Sequence, residues 1–202
     1  MTITLDTSYP EIIAEMERIR ILFKLKTTLR YQSSRDGSSY SESVAEHLYG
    51  MNIIANYFLP LEDPNGTLDR TRIHELFLFH EIGEIETGDI SFHQKTDDHR
   101  QMERLAVQRV GEKLPESMRA IALERSREFD DGITPEAKFA QAIDKIEPIF
   151  EMFDESVLPL FKIQKISREF AVGYKFAATE HFPYMHRFVE AWEDRAVSLG
   201  AF

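Results

Sequence analysis

The sequence predicts an all-α protein, on three observations. Apolar residues recur at three- and four-residue steps along most of the chain, helix-start signals precede these runs, and strand-like alternation is essentially absent.

The first helix is expected from about Pro10 to Leu29, carrying Ile12, Ile13, Met16, Ile19, Leu22, Phe23 and Leu25 in phase. The Ser-, Gly- and Asp-rich stretch Arg30–Ser41 breaks that pattern and reads as a loop. Ser43 is a good N-cap for a second helix with Val44, Leu48, Met51, Ile54, Ala55 and Phe58 on one face. Asp63-Pro64-Asn65-Gly66 marks a turn. A third helix starts near Asp69 and should end near Gly88, a residue suited to the left-handed cap position. Two further helices fit His99–Gly111 and Pro115–Phe129. Thr134-Pro135 pairs a capping residue with proline at the first helical position, opening a helix that presents Phe139, Ile143, Ile146, Phe150 and Phe153. The last two helices span about Ser167–His181 and Pro183–Leu199.

With 202 residues, a 43% hydrophobic share and 15 Phe, the chain suffices for one well-packed domain, and no repeat or interdomain linker interrupts it. A net charge of -11 disfavours nucleic acids and anionic membranes as main partners. The absence of cysteine excludes disulfides, thiolate metal sites and a Cys nucleophile. The N-terminal stretch lacks a basic start followed by an apolar core, and no apolar run approaches the roughly 20 residues that span a bilayer, so the expected location is the cytoplasm.

Several polar residues sit where apolar ones belong. His47 lies three residues after Val44 and four before Met51, and His80 continues the Ile73, Leu76, Phe77 series. Asp144 follows Ile143 and lines up with the small neighbours Ala137 and Ala140. A buried carboxylate is costly unless it is paired or bound to a cation. Glu81 adjoins His80, and Glu84 lies one turn beyond it on the same face. Singly, each fits a hydrogen-bonded core histidine, a cap, an arginine pair or an exposed acidic patch. Converging from three helices, two imidazoles and two carboxylates fit one borderline divalent ion: Mn, Co, Fe, Ni or Zn.

These segments resemble the HD-domain superfamily of metal phosphohydrolases, specifically the branch with the bacterial 5'-deoxynucleotidases. The pieces are Leu29-Arg30, Asp36-Gly37-Ser38, Glu42-Ser43-Val44-Ala45-Glu46-His47, the run from His80-Glu81 to Gly88-Asp89, and Glu136 to Lys145. The resemblance implies a single HD-type helical bundle over 1–202, with a motif-bearing core at about 25–154 and C-terminal helices at 165–199 packed on it. It implies His47, His80, Glu81 and Asp144 as ligands of one divalent metal, Glu84 beside the attacking water, Asp89 at the sugar, and Arg30 at the phosphate. The implied reaction hydrolyses (deoxy)nucleoside 5'-monophosphates to nucleoside and phosphate, and a homodimer is expected.

Two departures stand out. The family pairs His with Asp, whereas this chain has His80-Glu81, whose carboxylate sits on a stem one methylene longer. The loop before Glu42 is about one residue longer than common, which makes Arg35 an alternative to Arg30. A protein that binds metal and nucleotide without turnover, and a two-metal oxidative enzyme using His93 and His99, are the competing readings. Pro148, four residues after Asp144, should kink its helix because it cannot donate to the residue 144 carbonyl.

Overall fold

The computed structural model describes residues 4–30, 42–90, 94–151, 153 and 166–202. Among these the architecture is helical: α1 (Tyr9–Arg20), a 3₁₀ turn (Leu22–Lys26), α2 (Val44–Glu62), α3 (Arg70–Phe79), α4 (Glu84–Thr87), α5 (Asp97–Lys113), α6 (Glu116–Asp131), α7 (Pro135–Glu151), α8 (Arg168–Ala178) and α9 (Pro183–Ser198). The extended pairing found among the described residues is a single antiparallel bridge, Leu29 with Ser43. No helix among the described residues is long and apolar enough to cross a membrane.

The starts of the elements follow the sequence signals. Ser43 and Glu46 form a reciprocal cap for α2: Ser43 N–H donates to Glu46 Oε2 (2.6 Å) and Glu46 N–H to Ser43 Oγ (3.3 Å). Asp63 accepts from Thr67 N and Leu68 N, closing the turn after α2. Thr134 Oγ1 accepts from Ala137 N at the start of α7.

Two expected helices are shorter than their apolar periodicity. The first ends at Arg20 and gives way to a 3₁₀ turn, which itself stops where the Thr27 and Thr28 hydroxyls donate to the Lys24 carbonyl and compete with further helix. Its apolar stripe also stays in solvent, with Ile13, Met16 and Ile19 exposed and Glu15 buried. The third helix ends at Phe79. From there the backbone bonds tighten to three-residue spacing, with Ile82 N on Phe79 O, Glu84 N on Glu81 O and Ile85 N on Ile82 O, before α4 forms. Gly88, at φ +70°, closes α4, a conformation that glycine adopts without a Cβ penalty.

The chain divides into two compact units, Met1–Leu48 with Glu75–Asp131, and Tyr49–His74 with Gly132–Phe202. In the first, Phe79, Ile82, Val107, Val110, Leu114 and Ala122 form a core flanked by Ile21, Leu22 and Ile85. Small residues set its closest approaches. A Cβ on Gly83 would lie 3.0 Å from the Glu103 carbonyl, and one on Gly111 2.5 Å from Leu123. In the second unit, Phe58, Phe139, Ile143, Ile146, Val189 and Trp192 are buried. Edge-to-face pairs Phe58–Phe188 and Phe139–Phe182 tie α2, α7 and α9 together.

Candidate metal centre

In the first unit, three segments place the candidate donors. The cap at Ser43 fixes the start of α2, which buries His47 completely. The end of α3 buries His80, and the tightened turn after it carries Glu81 partly buried and Glu84 buried. The two imidazoles lie 6.2 Å apart, tilted at 60°. One donor atom from each of His47, His80 and Glu81 lies within 4.8 Å of the others.

The hydrogen bonding of His80 decides what kind of partner fits. Its Nδ1 is 3.0 Å from the Phe77 carbonyl, which only accepts, so Nδ1 carries the proton. Nε2 is then a lone pair, and it faces Glu81 Oε1 at 3.3 Å. Two electron-pair donors at that separation call for a cation, either a proton on the ring or a metal. A backbone bond of this kind is what orients the ring of histidines that bind metals. Phe129 packs its ring 4.2 Å from His80, keeping one side of the imidazole apolar. These donors fit a divalent metal.

Around them the field is acidic. Burial pushes the Glu84 carboxyl well above its ordinary range. Repulsion from Glu81 and Asp89 and a hydrogen bond with Glu81 add to this, and Lys95 opposes it. For Lys95, burial alone would lower the ammonium, yet Glu81, Glu103 and Glu84 together raise it, and it pairs with Glu103 at 2.9 Å. Glu84 is thus a buried carboxyl group whose protonated form is favoured, beside donors suited to a metal. Asp89, just past the Gly88 turn, is close enough to be felt electrostatically at Glu84.

Arg30 is anchored where the chain enters the Leu29–Ser43 bridge, its N–H donating to the Glu42 carbonyl at 2.8 Å. Its Nη1 reaches Glu42 Oε1 at 2.7 Å and His47 Nδ1 at 2.8 Å. Arg35 and His93 lie outside the described residues. His99 takes part in the capping box of α5 with Thr96.

In the second unit, Asp144 is buried on α7, with Lys145 Nζ at 2.6 Å from its Oδ2. Pro148 lies inside that helix. Sequence reasoning did not single out Glu42, Lys95 or Lys145. Glu42 and Lys145 stood in motif segments. Lys95 follows a Gly-Asp turn, with no periodicity to place it.

Residues 22–176 match the family model described as HD domain. The chain is 32% identical over 139 residues to a 5'-deoxynucleotidase, hdd1, of Schizosaccharomyces pombe, covering 66% of this chain and 68% of that protein. It is 26% identical over 149 residues to the 5'-deoxynucleotidase HDDC2 of Dictyostelium discoideum, covering 71% and 78%. A predicted metal-dependent phosphohydrolase of Magnetospirillum magnetotacticum MS-1 has a similar structure, with TM-score 0.79 and 27% identity over 96% of this chain and 98% of that one. An HD-domain phosphohydrolase of Listeria innocua shares the fold at TM-score 0.65 and 18% identity, over 92% and 90%.

Proposed function

The chain belongs to the HD domain family, and on that premise we propose that it is a metal-dependent phosphohydrolase that cleaves (deoxy)nucleoside 5'-monophosphates to nucleoside and phosphate. One observation carries the reading: His80 Nε2 and Glu81 Oε1 face each other at 3.3 Å with the ring proton committed to Phe77. The names of the relatives, 5'-deoxynucleotidases, support the substrate class.

His47, His80, Glu81 and Asp144 would hold the ion, a set of two nitrogens and two oxygens that suits Mn, Co, Fe, Ni or Zn. When bound, the metal supplies a water of lowered pKa and polarises a phosphoryl oxygen. The chain's own groups do the rest. Arg30 binds phosphate oxygens through its planar donor fork and balances charge that develops on them. Glu84 holds the proton that the leaving oxygen needs, or takes one from the attacking water. Asp89 accepts a hydrogen bond from a sugar hydroxyl. Phosphoryl transfer asks chiefly for positioning and charge stabilisation, and these groups provide both.

The net charge of -11 disfavours nucleic acid and anionic membrane as partners, while a local cationic group such as Arg30 can still meet a small anionic substrate. Tyr49, Ile53 and Tyr57 form an exposed stripe at four-residue spacing on α2, and exposed Phe188 packs beside Tyr57 at 5.8 Å; this surface supports the homodimer. The absence of a membrane-crossing helix among the described residues is compatible with the cytoplasm.

Purified protein should bind one Mn or Co per chain and release phosphate from a panel of nucleoside 5'-monophosphates. Metal binding without release from any substrate would favour the reading in which the longer Glu81 stem has cost turnover. More than one metal per chain would favour the two-metal reading. Sedimentation should give twice the chain mass.

A further inference from the structure

We propose that Glu42 is a positioning residue shared by the metal and phosphate halves of the centre, orienting His47 for the ion and Arg30 for the phosphate. The proposal rests on the metal and phosphate roles given above to His47 and Arg30.

Glu42 is 4% exposed, and its backbone is held by the bridge beside it and by the cap at Ser43. A buried carboxylate in so fixed a place needs donors. Arg30 and His47 are within reach of it. Arg30 Nη1 donates to Oε1 at 2.7 Å, and His47 Nδ1 lies 3.7 Å from the same oxygen. Arg30 Nη1 also donates to His47 Nδ1 at 2.8 Å, so in this arrangement the ring proton sits on Nε2.

That arrangement cannot persist when His47 ligates a metal. With Nδ1 turned towards Arg30 and Glu42, Nε2 is the nitrogen left for the ion, and a neutral imidazole that ligates through Nε2 carries its proton on Nδ1. Arg30 and Nδ1–H are then two donors facing each other. Glu42 Oε1 is an acceptor adjacent to both. Closing the 3.7 Å gap would give the carboxylate–imidazole–metal arrangement that fixes ring orientation and raises ligand basicity. Arg30 loses its bond to the ring and keeps the one to Glu42, which holds the guanidinium in place for phosphate oxygens. One carboxylate would thus couple occupancy by the ion to readiness for the anion.

The test uses full-length protein, Co(II) as the metal and inorganic phosphate as the anion. Calorimetry and the visible Co(II) absorption band report metal binding. Phosphate is titrated at saturating Co(II). E42Q should weaken Co(II) binding by about 10–100-fold, as loss of a carboxylate behind a ligating histidine does, and change the absorption band. It should also weaken phosphate binding at saturating metal. R30M should weaken phosphate binding while binding Co(II) no less tightly than wild type, because it removes a cation near the ion. E42D, with the acceptor drawn back by one methylene, should fall between wild type and E42Q on both readouts, and it serves if E42Q does not fold.

Equal Co(II) affinity in wild type and the Glu42 variants overturns the inference and leaves the proposed function standing. Weakened Co(II) with unchanged phosphate binding overturns the shared role. Wild-type protein that binds no Co(II) overturns the proposed function and this inference with it.

Discussion

In the Tyr49–His74 and Gly132–Phe202 unit, a lysine is fully buried and met on several sides by the protein itself. Lys175 Nζ donates to the Lys145 carbonyl at 2.9 Å and to Tyr174 Oη at 2.7 Å, with the Trp192 ring 5.9 Å away. In the Met1–Leu48 and Glu75–Asp131 unit, buried polar groups are set against one another: His80 Nε2 faces Glu81, and burial, with repulsion from Glu81 and Asp89 added, raises the Glu84 carboxyl. The first arrangement gives the charge its own acceptors. The second concentrates electron-pair donors that a cation would reconcile. Burial of charge therefore serves packing at Lys175 and chemistry around His80, and the two should respond differently to substitution.

The largest effect should come from removing the lone pair that faces Glu81. H80Q should lose stoichiometric Mn or Co binding in calorimetry and fall to background in phosphate release. The metal-free protein should lose little thermal stability, because the substitution also removes an opposed pair of donors. A large drop in metal-free Tm would mean that His80 serves packing, as Lys175 does, and would erase the contrast.

E84Q should keep its metal and lose about 10²–10⁴-fold in kcat, the range for a general acid–base group. Its pH behaviour sharpens the point. The Glu84 carboxyl is raised in the fold, so its protonated form is favoured there. The associated stability is fully present below the ordinary glutamate value of 4.5 and is lost as pH rises through the raised value. Chelator-treated wild type should therefore lose stability across that window relative to E84Q, which keeps a neutral side chain throughout. Parallel melting profiles for the two proteins would show that Glu84 is not held as an acid.

K175A, in the other unit, should destabilise by about 2–5 kcal/mol, the cost of emptying a long buried side chain. Loss of the donor to Lys145 and Tyr174 contributes within that range. Urea unfolding checks it, and the loss should change little with salt because the group is screened from solvent.

Much of this was legible in the residues. The caps at Ser43 and Thr134, the Asp63 turn and the Gly88 stop announce themselves because each is a local arrangement of a few adjacent residues. The histidines stood out as polar groups inside apolar stripes. What could not be read was non-local. The third helix breaks after Phe79, and the turn that follows brings Gly83 against Glu103 and Val107, residues that periodicity does not connect to it. The same is true of α1, whose amphipathic pattern predicts a buried stripe although Ile13 and Met16 stay in solvent. Lys95 and Glu42 matter through partners distant from any recognisable spacing, and a lysine buried as deeply as Lys175 looks in sequence like any other surface cation.

The smallest expected effect tests whether exposure is the variable that matters. Glu86 accepts from Lys113 Nζ at 2.6 Å and from Arg109 Nε at 2.7 Å, bonds that hold its carboxyl below the usual glutamate range. Both cations are more than half exposed, so solvent and salt screen the interaction. E86Q should cost about 0.2–1 kcal/mol at low salt, the range for exposed pairs, and less as salt rises. Because the carboxyl is depressed in the fold, its contribution is present above pH 4.5 and fades as pH falls through the depressed value, so wild type and E86Q should converge in acid. If E86Q instead matched K175A in size and salt independence, burial would not be what separates the charges of this protein, and the contrast between Lys175 and the His80 region would have to rest on the carboxylates around His80 alone.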